Sequence, residues 1–144
     1  MRKSTIIVLL AVLVVAVGIY ALTLPAPIDV QRVRAYSDAV TEDILRGLNE
    51  GNYTRFSGHF DSNMRGNLTE VAFLQMKALF DSRIGEYSSK EFVSAEQSSG
   101  YIVTVYKANF TSEPAGVTVK AVFSEVNGTA HVTGLWFDSP KLRS

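Results

Sequence analysis

Apolar residues are spaced in three successive ways along this chain. From Thr5 to Leu24 the sequence reads TIIVLLAVLVVAVGIYALTL, about twenty residues without a charge. At about 1.5 Å of rise per residue, such a helix matches a hydrocarbon slab roughly 30 Å thick. Val33, Tyr36, Val40, Ile44 and Leu48 then recur every three to four residues, as on one stripe of an amphipathic helix. After Gly85 apolar and polar positions alternate, which is the signature of strands.

Caps and breakers set the boundaries. Pro25 to Asp29 (PAPID) is a short stiff spacer, because each proline fixes its own φ and restrains the residue before it. Asp29 can cap the first helix, with Ile28 and Val33 at the positions of a hydrophobic staple, while Gly47 weakens that helix and Gly51 ends it. Asn52 can cap a single turn through YTRF, and Gly58 and Gly66 interrupt anything longer. Around Asn67 two start signals overlap. Asn67 and Glu70 have capping-box spacing, and Thr69 is a second cap with Leu68 and Phe73 as its staple. That helix is expected to run to about Arg83 with Val71, Leu74 and Ala78 inward, joined by some of Phe73, Met76, Leu79 and Phe80, and Gly85 closes it.

Four strands are expected over Tyr87–Glu96, Tyr101–Thr111, Val117–Val126 and Thr129–Phe137, divided by QSSG, SEPAG and NG. Asn127-Gly128 suits a type I′ hairpin turn, which needs positive φ at both central residues. Val117, Val119, Ala121 and Phe123 share one face of the third strand, and the last strand offers an edge for a second copy. Helices followed by a meander with short connections define an α+β fold with the helices on one sheet face.

Charge orients the first segment. Arg2 and Lys3 precede the apolar run and no base follows until Arg32, so the positive-inside bias places the N-terminus in the cytoplasm and the remainder outside. The run is longer than a typical signal-peptide core and lacks a good small-x-small cleavage site, which favours an uncleaved anchor over a cleaved signal. Residues 1–27 thus read as cytoplasmic tip, single-pass transmembrane anchor and linker, and 28–144 as one extracytoplasmic domain. Without Arg2 and Lys3 there remain 12 basic and 14 acidic side chains, a near-neutral balance that makes no case for nucleic acid or anionic lipid. The absence of cysteine excludes disulfides, thiolate metal sites and a cysteine nucleophile.

A helix ending in ILRGLNEGNYTRFSGHFDSNMRGNL, a second ending in LFDSRIGEY and a meander closing on VTGLWF resemble the nuclear transport factor 2-like (cystatin-like) α+β fold. Within it the chain is similar to an uncharacterised family of small extracytoplasmic domains, whose pattern is met by Gly51, Asn52, Tyr53, Phe56, Phe60, Met64 and Gly85. The resemblance covers about Tyr36 to Pro140. It implies helices on a curved four-stranded antiparallel meander that often leaves an apolar pocket, and ketosteroid isomerase-like relatives use that pocket for proton transfer. Such chemistry needs a carboxylate base and a hydrogen-bond donor, both desolvated. The available types are Tyr53, Tyr87, Tyr101, Tyr106, Asp61 and Glu125, in no spacing that matches the enzymes. Tyr53, Tyr101 and Trp136 are the pocket candidates, each weighed against a plain packing role.

Other chemistry is sparse. His59 and Asp61 could be a base with its orienting carboxylate, but the blander reading is a turn in which Asp61 or Ser62 caps SNMR. His131 lies in the last strand, and with only two histidines in the chain a three-histidine metal site is impossible. No nucleophile elbow, phosphate loop or paired-histidine helix motif occurs, so no catalytic residue, metal or cofactor is assigned. One count stands out. Of six asparagines, Asn52, Asn67, Asn109 and Asn127 each have threonine two residues on, although serine and threonine make up only 24 of 144 residues. N-glycosylation is one explanation; caps at Asn52 and Asn67 and a turn at Asn127 are the structural alternative, which Asn109 lacks.

The favoured reading is a membrane-anchored binding or interaction module of the cell envelope with a protein partner and no catalysis. A small-pocket ligand binder or enzyme of the same fold is the alternative. A pilin-like subunit is the third reading, disfavoured because Thr5 to Leu24 lacks the early glutamate of such segments.

Overall fold

The structure is a computed structural model that describes residues 28–144. The expected membrane anchor, Thr5 to Leu24, lies outside the described residues, as do Pro25 to Pro27 of the spacer. Among the described residues no helix is long and apolar enough to cross a membrane.

Helix α1 spans Val30–Glu50, and two short helices follow, α2 (Tyr53–Ser57) and α3 (Ser62–Asn67), before α4 (Glu70–Arg83). The strands are β1 (Tyr87–Ser98), β2 (Tyr101–Phe110), β3 (Glu113–Val126) and β4 (Thr129–Asp138), and α5 (Pro140–Arg143) ends the chain. The sheet is an antiparallel meander in the order β1-β2-β3-β4. Its inner face carries Tyr106, Ala108, Val117, Val119, Ala121, Phe123, Leu135 and Phe137, all nearly or fully buried under the helices.

Local chemistry explains the boundaries. Asp29 accepts the Arg32 N–H at 3.2 Å. At the other end of α1, Gly51 takes a φ of 65° and the Asn52 N–H returns to the Gly47 carbonyl at 2.9 Å. Gly47 has a second role that its helix-weakening effect hides. A Cβ there would stand 2.5 Å from the Phe56 backbone nitrogen, so the missing side chain lets α2 lie directly on α1. Asn52, Asp61 and Thr69 cap α2, α3 and α4 through the N–H groups of Arg55, Met64 and Ala72, so Thr69 rather than Asn67 starts α4.

Helix α4 buries only residues from the second group expected to face inward. Val71 and Leu74 are 67% and 50% exposed and Ala78 is also exposed, whereas Phe73, Met76 and Phe80 are buried. A displacement of two residues turns a helix by about 200°, so the two stripes lie on opposite sides. Aromatic burial decides between them. Phe73 packs on Phe56 with ring centroids 4.6 Å apart, and Phe80 meets Phe137 at 5.1 Å.

Two turns are tighter than the sequence suggested. β1 continues to Ser98, and the loop is Ser99-Gly100 alone, both at positive φ. SEPAG is no turn: β3 begins at Glu113, directly after Thr111-Ser112, with Phe110 paired to Glu113. Pro114, Ala115 and Gly116 then form a bulge in which Gly116 takes a φ of 78° and Pro114 has no N–H to leave unpaired. The Glu113 carboxylate accepts the Lys141 N–H at 2.9 Å and the Ala115 N–H at 3.3 Å, which holds it below its ordinary pKa and ties the bulge to α5. The last strand is partly covered rather than a free edge: Val132 exchanges backbone bonds with His59 (2.7 Å) and Asp61 (3.0 Å).

Candidate functional site

Helix α1 carries polar residues on the border of its apolar stripe. Ser37 and Thr41 are fully buried, and Tyr36, Asp38 and Glu42 flank them. Opposite lie Tyr87 and Lys90 on β1, Tyr106 on β2 and Glu125 on β3. Three tyrosine–carboxylate pairs result, each with basic company. Tyr36 donates to Glu125 at 2.9 Å, and Arg32 pairs with the same carboxylate at 3.1 Å. Tyr106 donates a short bond to Asp38 and lies 2.8 Å from Ser37 Oγ, while Arg34 pairs with Asp38 at 3.2 Å. Tyr87 donates to Glu42 at 2.7 Å, and Glu42 also takes Lys90 at 3.0 Å and Arg46 at 2.8 Å.

The titration directions agree with this geometry. Burial first, and then the accepting carboxylate, pushes the phenols of Tyr36, Tyr87 and Tyr106 well above their ordinary value. For Glu42 burial acts upward, but the hydrogen bonds from Tyr87, Lys90 and Arg46 together outweigh it and hold the carboxyl at about 2. A carboxylate so far below neutrality is a poor general base. Thr41 Oγ1 is buried with no partner among the described residues.

The residues singled out in the sequence do not converge. Tyr53 donates to the Leu68 carbonyl at 2.7 Å and packs on Phe73, joining α2 to the start of α4. Asp61 caps α3. His59 turns away from it and meets Asp43 at 3.1 Å, where Arg55 also pairs. His131 stands opposite Ser124, half buried. Glu125 and Tyr87 belong to two different tyrosine–carboxylate pairs, and Tyr106 to the third. Among the described residues no group of three His, Asp or Glu side chains is placed to hold a metal ion. Ser37, Asp38, Thr41, Glu42 and Lys90 escaped the sequence reading. Their signal is the repeat of a small hydroxyl followed by an acid, Ser37-Asp38 and Thr41-Glu42, one helical turn apart beside the apolar stripe.

Tyr101 and Trp136 both lie on the outer face of the sheet, on either side of one apolar pair. They pack around Val103 and Val122, which are 4% and 0% exposed on a face that no helix among the described residues covers. Beside them Thr118, Lys120, Trp136 and Asp138 line an open groove of about 160 Å³. The Lys120 ammonium sits 4.9 Å from the Trp136 ring centroid, and Asp138 pairs with Arg143. The Trp136 indole N–H is buried and has no acceptor among the described residues.

Helices on one face of a four-stranded antiparallel meander are the architecture of nuclear transport factor 2-like, or cystatin-like, proteins. A family described as "Protein of unknown function (DUF3887)" matches residues 41–134, and the chain belongs to it. Among solved structures, a chain named Rd1NTF2_05 is similar at 11% identity and a TM-score of 0.50, over 74% of this chain and 99% of that one. A nuclear transport factor 2-like protein of unknown function from Shewanella baltica matches at 11% identity and a TM-score of 0.48, over 78% and 97% of the two chains. A cystatin-like domain of unknown function from Nostoc punctiforme matches at 12% and 0.47, over 76% and 75%. No curated protein matches the chain.

Proposed function

We propose that this protein is a binding module of the cell envelope, anchored by Thr5 to Leu24 with residues 28–144 outside, and that it takes its ligand on the outer sheet face at Trp136. The observation that carries the proposal is the indole N–H of Trp136, buried beside an open groove with no acceptor among the described residues. Leaving such a donor unmet costs about 1–3 kcal/mol, which an acceptor in the groove would recover once a small turn of the Trp136 ring exposes the N–H. The acids near the tyrosines behave in the opposite way. Each is already engaged by a phenol and an arginine or lysine, so the seam under α1 reads as structural.

Trp136 is the only tryptophan in the chain, so its emission reports on the groove without a label. Titrating the full chain in detergent with small carboxylates, phosphates and sugars should give a saturable emission change with one class, lost in Lys120→Ala. Flat titrations with every class would overturn the groove as the binding site. Protease added outside intact cells should remove the domain while an N-terminal tag survives; a protected domain would overturn the anchored topology.

A second reading, a small-pocket binder or enzyme, draws on Tyr106. Its hydroxyl touches both Asp38 and Ser37, on the helix that also buries the Thr41 hydroxyl, which has no partner among the described residues. A ligand there should be lost in Tyr106→Phe and leave Trp136 emission unchanged.

A further inference from the structure

We propose that Asn67 and Asn109 are attachment sites for N-linked glycans, an inference that rests on the extracytoplasmic placement above. Four of the six asparagines lie in Asn-x-Thr sequons, and all four are exposed. Asn49, the asparagine that the fold uses most, is not in one. Its amide accepts the Tyr87 N–H at 2.9 Å and donates to the Tyr87 carbonyl at 2.7 Å, fastening α1 to β1.

The structure separates the four. Asn52 caps α2 through the Arg55 N–H, and Asn127 takes a φ of 52° in the β3–β4 turn, so the fold has its own use for asparagine at both. Asn67 has no such use. Thr69 caps α4 in its place, and the exposed Asn67 amide makes no hydrogen bond among the described residues. Asn109 projects from the outer face of β2, where its Nδ2 donates only to Ser89 Oγ at 2.9 Å. Nothing in the strand requires an amide there.

Both side chains are exposed, so a glycan on either would project into solvent. The Nδ2 nitrogen attacks the anomeric carbon of a lipid-phosphate-linked oligosaccharide under a membrane oligosaccharyltransferase. The new N–C1 bond replaces the C1–O bond, the lipid phosphate leaves, and one amide proton is released. The remaining N–H of Asn109 can still reach Ser89.

The test is glycopeptide mass spectrometry on the full chain recovered from its native membranes, with external protease digestion of the same cells as a control. Peptides containing Asn67 and Asn109 should carry glycan mass, and Asn67→Gln and Asn109→Gln should each remove one increment. A domain that is digested from outside but has both peptides unmodified would overturn the glycan inference and leave the anchored reading standing. Occupancy confined to Asn52 and Asn127 would overturn it equally. A domain protected from protease would overturn the placement and the glycans together.

Discussion

Glu42 is the most heavily engaged carboxylate under α1, and its replacement by glutamine separates a structural role from a catalytic one. A carboxyl displaced from 4.5 to about 2 represents roughly 3 kcal/mol at ~1.36 kcal/mol per pKa unit. Its side chain is 31% exposed, so solvent screening reduces the expected share to about 1–2 kcal/mol. Lys90, only 14% exposed, loses its carboxylate in the variant and adds to the loss. The expected total is about 2 kcal/mol at pH 7, a fall of about 1 M in the urea midpoint. The sign follows from the lowered pKa. The folded state binds its Glu42 proton more weakly than the unfolded chain, so the contribution is complete above about 4.5 and disappears as the pH falls towards 2. Urea titrations of wild type and Glu42→Gln, followed by circular dichroism at pH 7, 5, 4 and 2.5, should therefore show a stability gap that narrows only below about pH 4.5. A gap that stays constant down to pH 2.5 would refute the ionised network. A gap that closes near pH 6 would mean a carboxyl poised for proton transfer.

At higher pH the signs reverse for Tyr36, Tyr87 and Tyr106. Their raised pKa values give stability that is whole below about pH 10 and lost above it, so absorbance at 295 nm should show these three phenols ionising together with unfolding rather than before it. Gly47→Ala should lose about 1–2 kcal/mol by chemical denaturation, because a contact of 2.5 Å with backbone outweighs the ~1 kcal/mol that alanine usually adds to a helix. Phe73→Ala should cost about 3–5 kcal/mol while Val71→Ser stays within about 0.5, and equal costs would restore the helix face expected from sequence. Residues 28–144 alone should melt in one cooperative transition, and a broad melt would mean that the core needs the preceding segment.

The fold was legible where the physics is local. Caps at Asp29, Asn52 and Asp61 and the positive-φ turn at Asn127-Gly128 depend on residues a few positions apart, and the order of helices and strands follows from them. The α4 face was not legible. Its apolar residues cover both sides of the helix, and only the partners Phe56, Phe110 and Phe137, distant in sequence, decide which side packs. SEPAG failed for a similar reason: its composition is that of a turn, but Glu113 is held in the strand by Lys141, 28 residues later.

The candidate site was less legible than the fold, and the cause lies in where its partners come from. Glu125 reaches Tyr36 across 89 positions and Glu42 reaches Lys90 across 48, so no spacing rule brings these groups together. The same distances explain why a count of available acids and tyrosines could not pair them. An acid and a phenol that meet in a fold stabilise each other, and with a base beside them the carboxylate stays ionised and the phenol stays protonated. Proton transfer needs the reverse, a carboxyl raised towards neutrality by burial with no cation to hold it down. The groove at Trp136 differs in kind, because its indole N–H and the Lys120 ammonium have no hydrogen-bond acceptor within the described fold. Groups already satisfied internally lose those bonds when they turn to a ligand, whereas the groove's donors have none to lose. That asymmetry is what supports the proposal of binding on the outer face over the second reading under α1.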